Sequence, residues 1–261
     1  MKVNRSVDRQ TLLTALDQLL KTDQFNDYCP NGLQVEGKSV IKRIVSGVTA
    51  SQALIDQAGE AGADLLLVHH GYFWRGESSV ITGIKHKRIR QLMAYDMNLV
   101  AYHLPLDAHP ELGNNVQLAH VLGFEPSGEL TRINNQIMGL VCDLPAPVSA
   151  ASLSDRIARA LFRPPLHINA ESDGQARPIR RIAWCTGAAQ SYIEHAVRAG
   201  ADAYISGEIS ETTAHQAREL GIHYFAAGHH ATERYGVQAL GQWLAARFEV
   251  EHQFIDIDNP V

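Results

Sequence analysis

Two stretches of this chain, Arg43 to Gly71 (RIVSGVTASQALIDQAGEAGADLLLVHHG) and Arg181 to Ile209 (RIAWCTGAAQSYIEHAVRAGADAYISGEI), align without a gap. Both read as strand, helix, Ala-Gly-Ala-Asp, strand, so any fold for the chain has to build the same α/β piece twice. A second match follows, in which Ala101-Tyr102-His103 with Asp107 falls over Ala227-Gly228-His229 with Glu233. His-x-x-x-carboxylate is common to both. The alignment predicts two related α/β domains, residues 1–127 and 128–261, with the boundary near Ser127. With 261 residues and 45% of them hydrophobic, the chain is long and apolar enough for two such cores.

Periodicity fills in the domains. Leu12, Leu13, Leu16, Leu19 and Leu20 recur at helical spacing over residues 8–20. Strands are expected at 41–48, 64–68 and 98–102, with helices at 52–62 and 87–95 between them. The run Leu65-Leu66-Leu67-Val68 is apolar throughout, as in parallel strands covered on both faces. The second domain predicts strands at 182–185, 203–206 and 222–226, and helices at 191–200, 211–220 and 232–248. Between the two lie a strand near 136–143, a helix near 148–161 and a turn-rich piece holding Pro164-Pro165, Ser172-Asp173-Gly174 and Pro178. Strand alternating with helix predicts mostly parallel sheets with helices on both faces.

In such sheets ligands gather beyond the carboxyl ends of the strands. His69-His70, His103 and His229 each come directly after an apolar strand. His229 and Glu233 are four apart in a helical segment and share a face. Pro105 makes His103-Leu-Pro-Leu-Asp107 a loop or a strained first turn. Neighbouring strand residues point to opposite faces, so His69 and His70 suit two neighbouring ions better than one unless the chain turns there. Imidazole with carboxylate and no thiolate favours Zn, Fe or Mn over a structural thiolate zinc site or an all-oxygen cage. The pair His215 and Glu219 has the same spacing but no counterpart in the other copy, and reads as a solvated helix pair.

Charge and cysteine usage exclude several classes. A net charge of -5, from 23 basic and 28 acidic residues, gives no general attraction to nucleic acid or an anionic membrane. The densest basic run, Lys85 to Arg90, reads as the wet face of a helix whose apolar face is Ile84, Ile89, Leu92 and Met93. Cys29, Cys142 and Cys185 form no CxxC pair, and no secretory leader or membrane-spanning run is apparent, so a soluble protein of the reducing cytoplasm is expected.

His69-His70-Gly, His103-Leu-Pro-Leu-Asp107, Gly228-His229-x-Ala-Thr-Glu233-Arg and Asn31-Gly-Leu-Gln-Val35, in that set, resemble the Nif-three-like family of type 2 homologues of GTP cyclohydrolase I, nearest its bacterial YbgI-type members. The resemblance covers almost the whole chain. It implies two related α/β domains facing each other across a dinuclear metal site, and a toroidal hexamer built as a trimer of dimers. The ligand set it implies is His69, His70, Asp107, His229 and Glu233, holding two divalent ions, with one or both carboxylates bridging. His230 departs from the pattern, since the family often has Tyr there.

The activity the resemblance implies is hydrolytic opening of the guanine imidazole ring of GTP, or action on a related or damaged nucleotide. A dinuclear centre fits, because metal-bound water supplies hydroxide near neutral pH. No P-loop, GxGxxG or GxSxG motif is present, so a nucleotide has to be recognised by the cavity itself. The alternative is a non-catalytic, metal-stabilised ring that binds partners or stores metal. His103 aligns with His229 and Glu208 with His70, so both are expected to line the site as catalytic or supporting groups rather than as ligands. Tyr72-Phe73-Trp74 follows a metal motif and is either an interface between protomers or a lid packed on its own domain.

Overall fold

The computed structural model describes residues 5–170 and 177–261, so the turn expected at Ser172-Asp173-Gly174 lies outside the described residues. The chain packs as two units. The first comprises the described residues up to Gly113 together with Gly236–Asp258, and the second the described residues of Asn114–Tyr235 with Asn259–Val261. Elements of the first segment run β1 (Val7–Asp8), α1 (Arg9–Leu20), β2 (Gly32–Val35), β3 (Val40–Ile41), β4 (Arg43–Thr49), α2 (Gln52–Glu60), β5 (Leu65–His70), α3 (Gly83–Ala94), β6 (Asn98–Ala101) and α4 (Leu104–Ala108). Then follow α5 (Asn114–Leu122), β7 (Gly128–Ile133), β8 (Gln136–Val148), α6 (Ala150–Leu161), β9 (Leu166–Ile168), β10 (Ile179–Cys185), α7 (Ile193–Arg198), β11 (Ala203–Ser206), α8 (Glu211–Leu220), β12 (His223–Ala226), α9 (His229–Phe248) and β13 (Glu251–Phe254).

In the first unit the strand order is β13-β4-β5-β6-β2. β13, β4, β5 and β6 pair in parallel, and β2 closes the edge antiparallel to β6. Alternation along the strands separates two cores. Ile44, Leu65, Leu67 and Val100 face α1 and the later turns of α9, while Val45, Leu66, Val68 and Leu99 face α2 and α3. Covering on both faces explains the unbroken apolar run of β5.

The second unit has the order β7-β8-β10-β11-β12-β9. Only β10-β11 and β11-β12 are parallel; β7-β8, β8-β10 and β12-β9 are antiparallel. The sheets are therefore mixed, not mostly parallel. The expectation failed where hairpin partners join the parallel core, because a lone flanking strand carries no periodicity that tells its direction. The parallel part again has two faces: Ile182, Trp184, Ile205 and Phe225 pack with α5 and α6, and Ala183, Tyr204 and Tyr224 with α7 and α8.

The two Ala-Gly-Ala-Asp segments make the same bonds. Gly62 and Gly200 take left-handed φ values of 72° and 73°, which end α2 and α7. Asp64 Oδ2 then accepts the backbone N–H groups of Lys42 (2.8 Å) and Arg43 (3.0 Å), and Asp202 Oδ2 those of Arg180 (2.7 Å) and Arg181 (3.0 Å). Each Asp ties the start of its own strand to the start of the neighbouring one.

The packing divides the chain elsewhere than near Ser127. Leu118, Ala119 and Leu122 of α5 pack against Leu153, Ile157, Leu161 and Trp184, so α5 joins the second unit. At the other end Val237, Leu240 and Leu244 of α9 pack with the first unit's core, and β13 pairs with β4. In α3, Ile89 and Leu92 are buried as expected, but Ile84 and Met93 are 68% and 63% exposed. Lys85 of the basic run is tied to Glu77 at 2.9 Å. No helix among the described residues is long and apolar enough to cross a membrane.

Candidate metal centre

β5 delivers His69 and His70 to its carboxyl end, and the chain turns at once. A Cβ on Gly71 would run into the Gln34 amide, whose Oε1 accepts the Tyr72 backbone N–H at 2.7 Å. Although His70 is still paired with Thr49 in the strand register, the rings of His69 and His70 come to 4.5 Å between centroids. His69 is fully buried, with Nδ1 on the Tyr102 carbonyl at 2.9 Å; His70 Nδ1 meets Thr49 Oγ1 at 3.1 Å.

His103-Leu-Pro-Leu-Asp107 is a helical turn, not a loop. Pro105 sits in the first turn, where its missing N–H costs nothing, and the Asp107 N–H donates to the His103 carbonyl at 3.1 Å. The turn brings Asp107 Oδ1 to 3.5 Å from His69 Nε2. His103 joins His69 and His70 in a group whose ring nitrogens lie within 4.8 Å of one another and could hold a metal ion. Trp74 stands edge-on to His103 at 4.9 Å and near His70 at 5.9 Å. Tyr72 is buried with its hydroxyl on the Ala50 carbonyl, and Phe73 packs on the α2–α3 side, so these rings fold onto their own unit.

In the second unit β12 ends before Gly228, which at φ 102° turns the chain into α9. His229 opens that helix and Glu233 follows one turn on. Glu233 is 3% exposed, and its Oε2 lies 3.0 Å from His229 Nε2. The other ring nitrogen, Nδ1, meets Glu208 Oε1 at 2.7 Å. Burial opposes a charge on His229, but the bonds and charges of Glu233 and then Glu208 outweigh it and raise its pKa to about 9. A metal bound at Nε2 has to displace a proton there. Gly187 makes room for the pair, since a Cβ at that position would strike the Glu233 carboxylate. Thr232 accepts the Gly187 N–H at 3.1 Å and holds the strand end to the helix.

Three residues were not singled out by sequence: Asp27, whose Oδ1 lies 2.7 Å from His103 Nδ1, and Gln34 and Thr232. Gln34 and Thr232 sit inside quoted motifs, but Asp27 lies four residues before Asn31 with no spacing to mark it. His215 pairs with Glu211 at 3.1 Å rather than with Glu219, on an exposed helix face. Cys29, Cys142 and Cys185 are buried free thiols.

The donor set suits a borderline cation. Four histidines each place Nδ1 on an oxygen, which fixes the ring and is the usual arrangement behind a metal-binding imidazole. The class so defined is an α/β protein with imidazole and carboxylate donors at the carboxyl ends of its parallel strands. The model of the Duf34/NIF3 family (NGG1p interacting factor 3) matches residues 7–260, and the chain belongs to that family. It is 56% identical over 250 residues to a Pseudomonas aeruginosa protein named GTP cyclohydrolase 1 type 2 homolog, spanning 96% of this chain and 97% of that one. An Escherichia coli K12 protein of the same name is 51% identical over 251 residues, spanning 95% and 98%. Among solved structures, one described as protein ybgI, of unknown function, superposes with a TM-score of 0.91 at 49% identity over 98% of this chain and 100% of that one. A structure from Thermus thermophilus gives 0.84 at 31% identity over 98% and 100%.

Proposed function

We propose that this protein is a metal-dependent hydrolase whose two divalent ions are held by His69, His70, Asp107, His229 and Glu233. The observation that carries the reading is the outer support of the histidines: Tyr102, Thr49 and Glu208 each take an Nδ1 and leave Nε2 to ligate. Five side chains shared by two ions, with carboxylates able to bridge, leave coordination positions for water. Absence of thiolate from the set favours Zn, Fe or Mn. A bound ion supplies hydroxide near neutral pH, and His103 and Glu208 stand behind the ligands as supporting groups.

The names of the relatives direct the substrate search toward GTP or a related nucleotide. The matched bonding of Asp64 and Asp202 supports reading the chain as a duplicated α/β element. Metal-loaded protein incubated with nucleotides, damaged nucleotides and phosphodiesters, with products read by mass, tests the reaction. GTP gaining water with release of formate supports a cyclohydrolase. Phosphate release indicates a phosphatase, and no turnover of any compound at full metal loading overturns the hydrolase reading.

A further inference from the structure

Asp27 lies in the loop before β2, and its side chain is 2% exposed. Both oxygens are saturated. Oδ1 accepts the Tyr28 backbone N–H at 2.6 Å and meets His103 Nδ1 at 2.7 Å; Oδ2 accepts Asn31 Nδ2 and the Leu104 backbone N–H, each at 2.9 Å. Asn31 closes the arrangement, because its Oδ1 accepts the His103 backbone N–H at 2.8 Å. Burial alone would raise the Asp27 pKa, yet the bond and charge of His103, then Asn31 and Tyr28, hold it below the usual value. Nearby Cys29 stays a neutral thiol, pushed up to about 12 by burial and by the charge of Asp27.

An ionised carboxylate accepts hydrogen bonds and has no proton to give. The contact of 2.7 Å therefore requires a hydrogen on His103 Nδ1, and in the neutral ring that leaves the lone pair on Nε2. That nitrogen belongs to a ring whose centroid is 5.1 Å from His69 and 5.8 Å from His70, with Trp74 edge-on at 4.9 Å limiting its rotation. We propose that Asp27 is a positioning residue that fixes His103 as the Nδ1–H tautomer, so that its Nε2 accepts a hydrogen bond from water held at the His69–His70 pair. The water rests on the hydrolase reading; the tautomer does not.

Substitution by Asn separates this role from simple packing. An amide presents one oxygen and one NH2, whereas four donors converge on Asp27. Three of the four are fixed, since two are backbone N–H groups and the Asn31 amide is oriented by His103 N–H. The His103 ring is the one partner that can change. With the NH2 placed beside it, Nδ1 has to accept, and the hydrogen moves to Nε2.

The test is long-range proton–nitrogen correlation on the full chain labelled at histidine nitrogen, metal-free and near neutral pH, with His103→Gln identifying the resonances. The wild type is expected to carry its hydrogen on Nδ1, and Asp27→Asn to lose that signature in favour of Nε2–H. Hydrogen on Nε2 in the wild type, or an unchanged Nδ1–H in Asp27→Asn, overturns the proposal. If Asp27→Asn does not fold, the wild-type tautomer decides alone. Zinc addition then has to shift His69 and His70 while His103 keeps an unligated Nε2; a coordinated His103 also overturns it. An inactive or metal-free protein with the expected tautomer would sink the hydrolase reading and leave this one standing.

Discussion

Asp64 and Glu208 show two uses of a carboxylate in this protein. Asp64 is 8% exposed and binds Lys38 together with two backbone N–H groups that begin a strand. Burial would raise its pKa, but the Lys38, Lys42 and Arg43 bonds lower it. Asp64→Ala should cost about 2–4 kcal/mol, since charged hydrogen bonds to buried donors are lost, as read by urea unfolding at neutral pH. The folded pKa is depressed, so this contribution is present above about pH 4 and fades as acid passes down through the folded value. The gap between wild type and Asp64→Asn should accordingly narrow in acid; a gap that widens there would refute the assignment. Glu208 touches the outer nitrogen of His229 and stabilises no strand. Glu208→Ala should weaken zinc binding about 10–100-fold, measured by chelator competition.

Among the elements, the best-read were those with their own periodicity. α1, α8 and β11 fall within a residue of expectation and β5 within two, because each has either an amphipathic stripe or an apolar run bounded by turn residues. α5 was not expected from the sequence: it opens on Asn114-Asn115, two polar residues that are both buried, and Asn115 receives the Thr186 N–H at 3.1 Å. β2 and β13 were missed too, being short edge strands recruited by partners far along the chain. The closeness of His69, His70, His103 and Asp107, and of Glu208, His229 and Glu233, was legible from strand ends, four-residue spacing and, for Glu208, the repeat; as metal ligands and supporting groups they belong to the proposal. Asp27 was not, since a loop carboxylate acquires its role only through contacts remote in sequence. Gly187 illustrates an element-scale constraint no motif states. Gly187→Ala should lose more than about 1 kcal/mol, from a left-handed φ of 67° and a collision with Glu233, and should lower the zinc content of the purified protein. Full zinc content with unchanged thermal unfolding would show that Glu233 can move aside freely.

At the scale of the whole molecule, two quantities test the proposed centre and the ring that the resemblance implies. Elemental analysis after reconstitution with Zn, Fe or Mn should give two ions per chain, and consistently less than one would count against the ligand set. Light scattering coupled to size exclusion should report six times the 28.7 kDa chain if the protein forms a hexameric ring. A monomer with metals bound would refute the ring. The sequence argument for an interface at Tyr72-Phe73-Trp74 no longer supports assembly, because those rings are packed within their own unit.

The return of α9 and β13 to the first unit has a consequence for biosynthesis. β4 waits for Glu251–Phe254 to supply its neighbour, and the core around Ile44 and Leu65 waits for Val237, Leu240 and Leu244. A ribosome making the chain from its amino end therefore releases nearly all of the second unit before the first has its last strand. The first unit cannot close before β13 has emerged, and its apolar β4 edge lacks that neighbour until then.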